Sequence, residues 1–122
     1  MIDRPDAQLS FEAPRRIRNG EIFEMRFRVN SHAQLNDVTI AITPSLMQDM
    51  TINTLSPGPE KESFGSGGVR WSYGPIEKGK TLVVKIDGQI NPSLFGGTNG
   101  AVSLYDGDRR LGALPVLIRV LP

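Results

Sequence analysis

The feature that most constrains the fold is an alternation of apolar and polar residues within residues 20–29. Phe23, Met25, Phe27 and Val29 fall on one side of this segment, and charged residues occupy the positions between them. Successive side chains of a β-strand point to opposite faces, so a period of two indicates one buried and one solvent-exposed face. The segment therefore predicts a strand whose sheet covers a core.

The same alternation returns in shorter segments along the chain, over residues 38–42, 69–73, 82–86 and 116–120. Clusters of Gly, Pro, Asn, Asp and Ser separate them, a spacing typical of an antiparallel sandwich or barrel. The pattern predicts seven or eight strands and little helix. The predicted core comprises Phe23, Met25, Phe27, Val29, Ile40, Ile42, Trp71, Tyr73, Leu82, Val84, Ile86, Val102, Leu104, Val116 and Ile118.

Composition limits the classes of protein that this chain can belong to. A length of 122 residues fits one domain, predicted over residues 1–122. A domain of this size can bury a core without cross-links such as disulfides. The chain has no cysteine, which excludes disulfides and thiolate metal sites but leaves the cellular compartment open. Fourteen basic and thirteen acidic residues, interspersed, argue against a nucleic-acid partner.

Neither a targeting segment nor a membrane-spanning segment is predicted from the sequence. No apolar run approaches the ~20 residues that cross a bilayer. Residues 1–6 are too polar for a signal peptide, and whether Met1 is the natural start stays open. The sequence therefore also leaves open whether an anchor or leader lies outside this chain.

Several local elements follow from turn chemistry. Residues 14–20 are expected to turn, because Asn19 and Gly20 both tolerate positive φ. Pro44 favours a single helical turn over residues 44–50, followed by a short edge strand. Residues 56–68 lack any pattern and predict an exposed, mobile loop.

The order of these segments resembles that of a known family. Residues 20–30, 35–40, 68–76 and 78–84 are similar to the bacterial cell-surface domains of the conserved-repeat, CARDB-like or NEW3-like type. The resemblance covers roughly residues 7–90. It implies an immunoglobulin-like antiparallel β-sandwich that serves as an extracytoplasmic spacer or interaction module, without catalytic residues.

Residue types that carry catalysis or bind metals are sparse. His32 is the single histidine, and its position in a predicted turn indicates a loop residue instead of a triad member. One histidine without cysteine does not suit structural zinc. Asp106, with Asp37 and Asp87 elsewhere, could suggest calcium, but residues 106–109 are explained more simply as a hairpin turn. No catalytic, cofactor or metal residue is predicted.

A basic cluster is the strongest candidate for a contact surface. Arg15, Arg16 and Arg18 lie in the predicted turn, and Arg26 and Arg28 lie on the polar side of the next strand. If the turn brings the two groups together, five guanidiniums share one surface suited to an anionic or acidic partner. The alternative is that these arginines protect exposed strands from aggregation.

The aromatic residues define a second hypothesis. Trp71 and Tyr73 share the parity of Val69, which favours a place in the core, whereas Tyr105 points the other way. Sugar-binding modules expose aromatic rings in a row, so a carbohydrate-binding β-sandwich remains the alternative. The sequence does not contain a set of residues that would predict an active-site cleft.

These observations favour a non-enzymatic module of a bacterial envelope or surface protein, located at the cell surface or in the periplasm. Its expected partner is another protein or a neighbouring domain of a longer polypeptide, with no nucleic acid and no cofactor. The sequence leaves the particular partner and the oligomeric state open.

Overall fold

The computed structural model describes residues 1–18, 20–65, 68–90 and 97–121. These residues form eleven strands and one short helix. In chain order they are β1 (Ile2–Asp3), β2 (Ala7–Glu12), β3 (Arg16–Arg18), β4 (Ile22–Ser31), β5 (Val38–Ile42), α1 (Pro44–Asp49), β6 (Met50–Ser56), β7 (Lys61–Gly65), β8 (Gly68–Ser72), β9 (Thr81–Ile90), β10 (Thr98–Asp106) and β11 (Arg109–Leu121).

The strands form two sheets that pack against each other as an immunoglobulin-like β-sandwich. One sheet has the order β1-β2-β4-β9-β6, and the other has the order β3-β11-β10-β5-β8-β7. Every pairing is antiparallel except that of β3 with β11, which is parallel. The predicted fold class is confirmed, and the described residues contain more strands than the seven or eight expected.

The additional strands are short edge elements. β3 falls inside the predicted turn at residues 14–20, and β7 falls inside the predicted loop at residues 56–68, so both predictions were wrong over those strands. All five residues of β7 are exposed, which leaves no apolar alternation to reveal it. Asn19, Ser66, Gly67 and residues 91–96, where turns and loops were expected, lie outside the described residues.

The core lies between the sheets and consists of the residues that alternation placed inward. Phe27, Val84 and Ile86 from the five-stranded sheet and Ile40 and Trp71 from the other are 1% exposed or less. Of the predicted core set, Tyr73 and Leu82 are only partly buried and pack against the edge of this core. Burying each large apolar side chain contributes ~1.5–3 kcal/mol, so this interior is the main source of stability.

A glycine on β9 allows close packing against the side chains of the neighbouring strand β4. Gly88 lies inward on β9, opposite Phe23 of β4. A Cβ added there would lie 3.3 Å from Cζ of Phe23 and 3.5 Å from Cε of Met25. Larger side chains on β4 thus occupy the volume that a residue at position 88 would otherwise fill.

The helix follows β5 as the sequence predicted. Pro44 occupies its first turn, where a missing N–H costs nothing, and Leu46 is buried in the core. The edge strand predicted after it is β6, which borders the five-stranded sheet and runs to Ser56.

Candidate binding surface

Three of the predicted contact arginines lie at one edge of the six-stranded sheet. In β3, Ile17 is buried while Arg16 and Arg18 are exposed, so the alternation directs both guanidiniums outward. The parallel register places Arg16 beside Arg119 and Ile17 beside Val120 of β11. A fourth arginine thus joins the group, although it follows Arg16 by 103 residues in the chain.

The backbone holds this edge together. The N–H of Arg119 donates to the carbonyl of Arg15 at 2.8 Å, which extends the pairing of β3 with β11 by one residue. The N–H of Arg18 donates to the Glu21 carboxylate at 2.9 Å. Within the described residues, no carboxylate lies within ion-pair distance of the guanidiniums of Arg15, Arg16, Arg18 and Arg119.

Arg26 and Arg28 lie on the other sheet. Both are on β4, whose inward residues are buried, and they point to the outward face of the five-stranded sheet. Arg26 contacts the Glu24 carboxylate at 3.5 Å, and Lys85 of β9 contacts the same carboxylate at 3.0 Å. Nε of Arg26 is buried there without a hydrogen-bond partner. Arg28 is exposed between Ser10 of β2 and Val83 of β9.

The structure therefore separates the five arginines into two groups. Arg15, Arg16 and Arg18 form one group with Arg119, and Arg26 and Arg28 form the other on a different sheet. The sequence could not show this, because the turn expected at residues 14–20 is partly a strand that pairs with the end of the chain. Whether either group binds a partner stays a prediction.

Trp71 is in the core, as its parity predicted. Its exposed fraction is 1%, and its indole N–H donates to the Glu62 carboxylate at 2.7 Å. Tyr73 lies nearby, half-buried, with its hydroxyl donating to the carbonyl of Pro57 at 3.0 Å. Burial, followed by the negative charge of Glu62, raises the pKa of Tyr73 to about 12. Neither ring is presented outward for stacking.

Tyr105 points outward, and another side chain covers it. The guanidinium of Arg70 lies 4.3 Å from the centroid of its ring, a distance that gives a cation–π contact. Arg70 also lines a cleft of about 620 Å³ on the outward face, together with Asp37, Thr39, Ser63, Ser72 and Asp108 among others. The Ser72 hydroxyl donates to the Asp37 carboxylate in this cleft. Sequence reasoning missed the cleft, because β5, β7, β8 and the turn between β10 and β11 line it from separate segments of the chain.

His32 lies in the bend after β4, at the surface. Its Nε2 is 3.0 Å from the Asp3 carboxylate, and both side chains are exposed. The backbone N–H of His32 donates to the backbone carbonyl of Asp6 at 2.9 Å. The expectation of a loop histidine is confirmed, and its partner is the acid of β1.

The acidic hairpin turn between β10 and β11 has a structural role. One oxygen of Asp106 accepts the N–H groups of Asn36 and Asp37, both at 2.9 Å. Its other oxygen lies 3.7 Å from Arg109, whose guanidinium also contacts Asp6 at 2.7 Å. Contact with Asp6 is the main cause that raises the pKa of Arg109. In the described part of the chain, no three His, Asp or Glu side chains group as metal ligands.

Several solved structures share this fold. A CARDB domain from Pyrococcus furiosus, in complex with di-metal ions, has 10% identity and a TM-score of 0.62, covering 98% of this chain and 90% of that one. A cohesin module from a Clostridium perfringens family 33 glycoside hydrolase has 12% identity and a TM-score of 0.62, covering 95% and 97%. One chain of the CaDoc0917–CaCohA2 complex has 12% identity and a TM-score of 0.54, covering 93% and 100%.

These similarities confirm the resemblance to CARDB domains at the level of the fold. At such low identity they show the fold alone. No protein-family model matches this chain, and no curated protein matches its sequence. Among the described residues, no helix has the length and apolar character of a membrane span.

Proposed function

We propose that this chain is a non-catalytic protein-interaction or structural module of a bacterial envelope or surface protein, working outside the cytoplasm as one domain over residues 1–122. The observation that carries the proposal is the arginine group of β3 and β11. Four exposed guanidiniums at one sheet edge lack a carboxylate partner among the described residues, although the chain carries nearly as many acids as bases. Uncompensated charge of this kind attracts a partner of opposite sign.

The fold relatives support an interaction role. They include a cohesin module and a chain taken from a complex of two proteins. A β-sandwich offers two outward faces and free sheet edges to a partner, and the edges of this one are β1, β3, β6 and β7. An extracytoplasmic location is the setting that the family resemblance implies.

The state of the titratable groups supports a non-catalytic role. His32 is paired with Asp3 at the surface, Asp106 accepts two backbone N–H groups, and Glu62 accepts the Trp71 indole. These groups serve turns and strand pairings. These three groups do not share a cleft, as nucleophile, base and charge stabiliser would have to do, and the cleft that Asp37 and Glu62 line is without a histidine.

We further propose that Arg15, Arg16, Arg18, Arg26 and Arg28 contribute to the contact surface as two separate patches. The first patch lies at the β3 edge, and the second lies on the outward face of β4. The carbohydrate-binding alternative loses its main support, because Trp71 and Tyr73 are turned inward and Arg70 covers Tyr105.

The proposal is tested with the immobilised chain and an envelope fraction of its source bacterium. We expect cross-linking and mass spectrometry to identify a protein that is retained at low salt and released as salt rises. Serine at positions 15, 16 and 18 should reduce retention, and serine at positions 26 and 28 tests the second patch separately. Retention of cell-wall polysaccharide instead, unaffected by either set, would contradict the proposal.

A further inference from the structure

Beside the arginines of β3 and β11 lies an exposed apolar side chain. Leu117 is 63% exposed and points outward on β11, two residues before Arg119. It separates two hollows in the outward face. One, about 300 Å³, is lined by Arg15, Arg16, Leu117 and Arg119, and the other, about 430 Å³, by Asn99, Gly100, Pro115, Val116 and Leu117. Cationic and apolar groups therefore form one continuous surface.

We infer that this surface, the arginine edge (Arg15, Arg16, Arg18, Arg119 and Leu117), binds an acidic segment of a partner protein. The inference rests on the proposed function and names the chemistry of the partner. Carboxylates of the segment pair with the guanidiniums, and an apolar side chain of the segment occupies a hollow beside Leu117.

Charge complementarity is the first argument for an acidic occupant. On the outward face of the five-stranded sheet, cations lie beside acids. The Glu24 carboxylate, for example, contacts both Arg26 and Lys85. At the arginine edge, Arg16 and Arg119 are neighbours in register, and like charges directly opposite each other repel. A bound anion removes that repulsion, so it stabilises both the complex and the strand pairing.

The residue types favour carboxylates as the bound groups. All four cations are arginines, and a guanidinium presents paired N–H donors that fit a carboxylate in two parallel hydrogen bonds. Exposed leucine between two hollows adds a requirement that a phosphate head group or a polyanion does not meet. A polypeptide supplies carboxylates and an apolar side chain on one backbone.

The experiment uses the full chain and a labelled heptapeptide of aspartate and glutamate with one central leucine. Two control peptides replace the leucine by serine or the acids by lysines. Binding is followed by amide chemical shifts and by fluorescence anisotropy up to millimolar peptide, the range expected for a few exposed contacts. We expect shifts centred on residues 15–18 and 115–119, and weaker binding of both control peptides.

Variants assign the binding to the surface. Arg16→Ser with Arg119→Ser should weaken binding of the acidic peptide about tenfold, and Leu117→Ser should abolish the preference for leucine over serine. The matched control, Arg110→Ser with Lys78→Ser, removes the same charge and should have little effect. Arg110 lies nine residues before Arg119 on β11, roughly 30 Å away along the strand.

Three results would overturn the inference: no binding at millimolar peptide, equal loss in the control variant, or tighter binding to anionic lipid vesicles without any dependence on Leu117. A protein partner captured from the envelope fraction, with no binding of the acidic peptide, would leave the proposed function standing and refute this inference alone. Peptide binding at the arginine edge without a captured partner would support the acidic specificity of this surface and count against a protein partner in that envelope fraction.

Discussion

In both sheets, inward apolar residues alternate with outward polar residues, but the outward charged residues of the two sheets differ in their ion-pair partners. On the five-stranded sheet, Glu24 lies between Arg26 and Lys85 and contacts both. On the six-stranded sheet, Arg16 and Arg119 are neighbours, and no described carboxylate forms an ion pair with either. Glu24 therefore pairs with two cations of the first face, whereas Arg16 and Arg119 of the second have no carboxylate partner among the described residues. Similar numbers of acids and bases in a chain therefore do not imply a balanced surface.

The largest effect should come from the interior that both sheets share. Trp71→Ala should lower the free energy of unfolding by ~3–5 kcal/mol, because a fully buried indole is replaced by a cavity. Urea denaturation followed by circular dichroism measures this change. Tyr105→Ala, on the outward face of the same sheet, is the control and should cost clearly less. Equal losses would mean that inward and outward positions do not differ as described.

Tyr73, at the border between interior and surface, should make stability sensitive to alkali. Its pKa of about 12 in the folded chain exceeds the usual 10, so the unfolded chain loses the proton first. Stability should therefore fall as pH rises from about 10 to about 12. Tyr73→Phe should remove this component and, through the lost hydrogen bond to Pro57, cost ~0.5–1.5 kcal/mol at neutral pH.

Thermal unfolding at several pH values compares the two chains. If Tyr73→Phe declines between pH 10 and 12 as steeply as the parent chain, another group causes the alkaline loss.

Glu24→Gln tests the internally paired face. It removes the carboxylate that contacts Arg26 and Lys85, so we expect a loss of ~0.2–1 kcal/mol at low salt. The loss should shrink in 1 M salt, which screens the exposed charges. Thermal unfolding at both salt concentrations measures it. A loss that is independent of salt would point to packing around Arg26 instead of charge pairing.

The smallest effect, and one of opposite sign, is expected at the arginine edge. Arg16→Ser removes a guanidinium that has no acidic partner among the described residues and faces Arg119, so stability should change by less than ~0.5 kcal/mol. Any change at low salt should be a gain, because repulsion between neighbouring cations is relieved. The same thermal measurements apply, and a salt-sensitive loss would show that Arg16 has a stabilising partner.

The inward-facing residues of each long strand were predictable from sequence, because apolar residues at every second position lie on one face, which is buried in the core. Phe27, Ile40 and Trp71 are examples. The short edge strands β3 and β7 were not predictable, although the edge strand β6 was. The three residues of β3 alternate, but they are too few to establish a period from sequence, and their partner is the last strand of the chain.

The same limit applies to the candidate surface. Arg15, Arg16 and Arg18 are recognisable as a cluster because they are close in sequence. Arg119 and Leu117 join them only through a parallel pairing with a segment a hundred residues away, and Arg26 is separated from them by its sheet. Local sequence indicates which residues are basic, and the long-range pairing determines which of them are neighbours.

The parallel pairing of β3 with β11 also links binding to the opening of the fold. A ligand that binds both Arg16 and Arg119 links β3 to β11, so it stabilises the states in which these two strands are paired. Amide hydrogens of residues 16–18 and 119–121 should exchange with solvent sooner than those of β4 in the free chain, since three paired residues at an edge open more easily than a central strand. Occupancy of the arginine edge should slow that exchange, and the retardation would report ligand affinity at the point where the sandwich opens first.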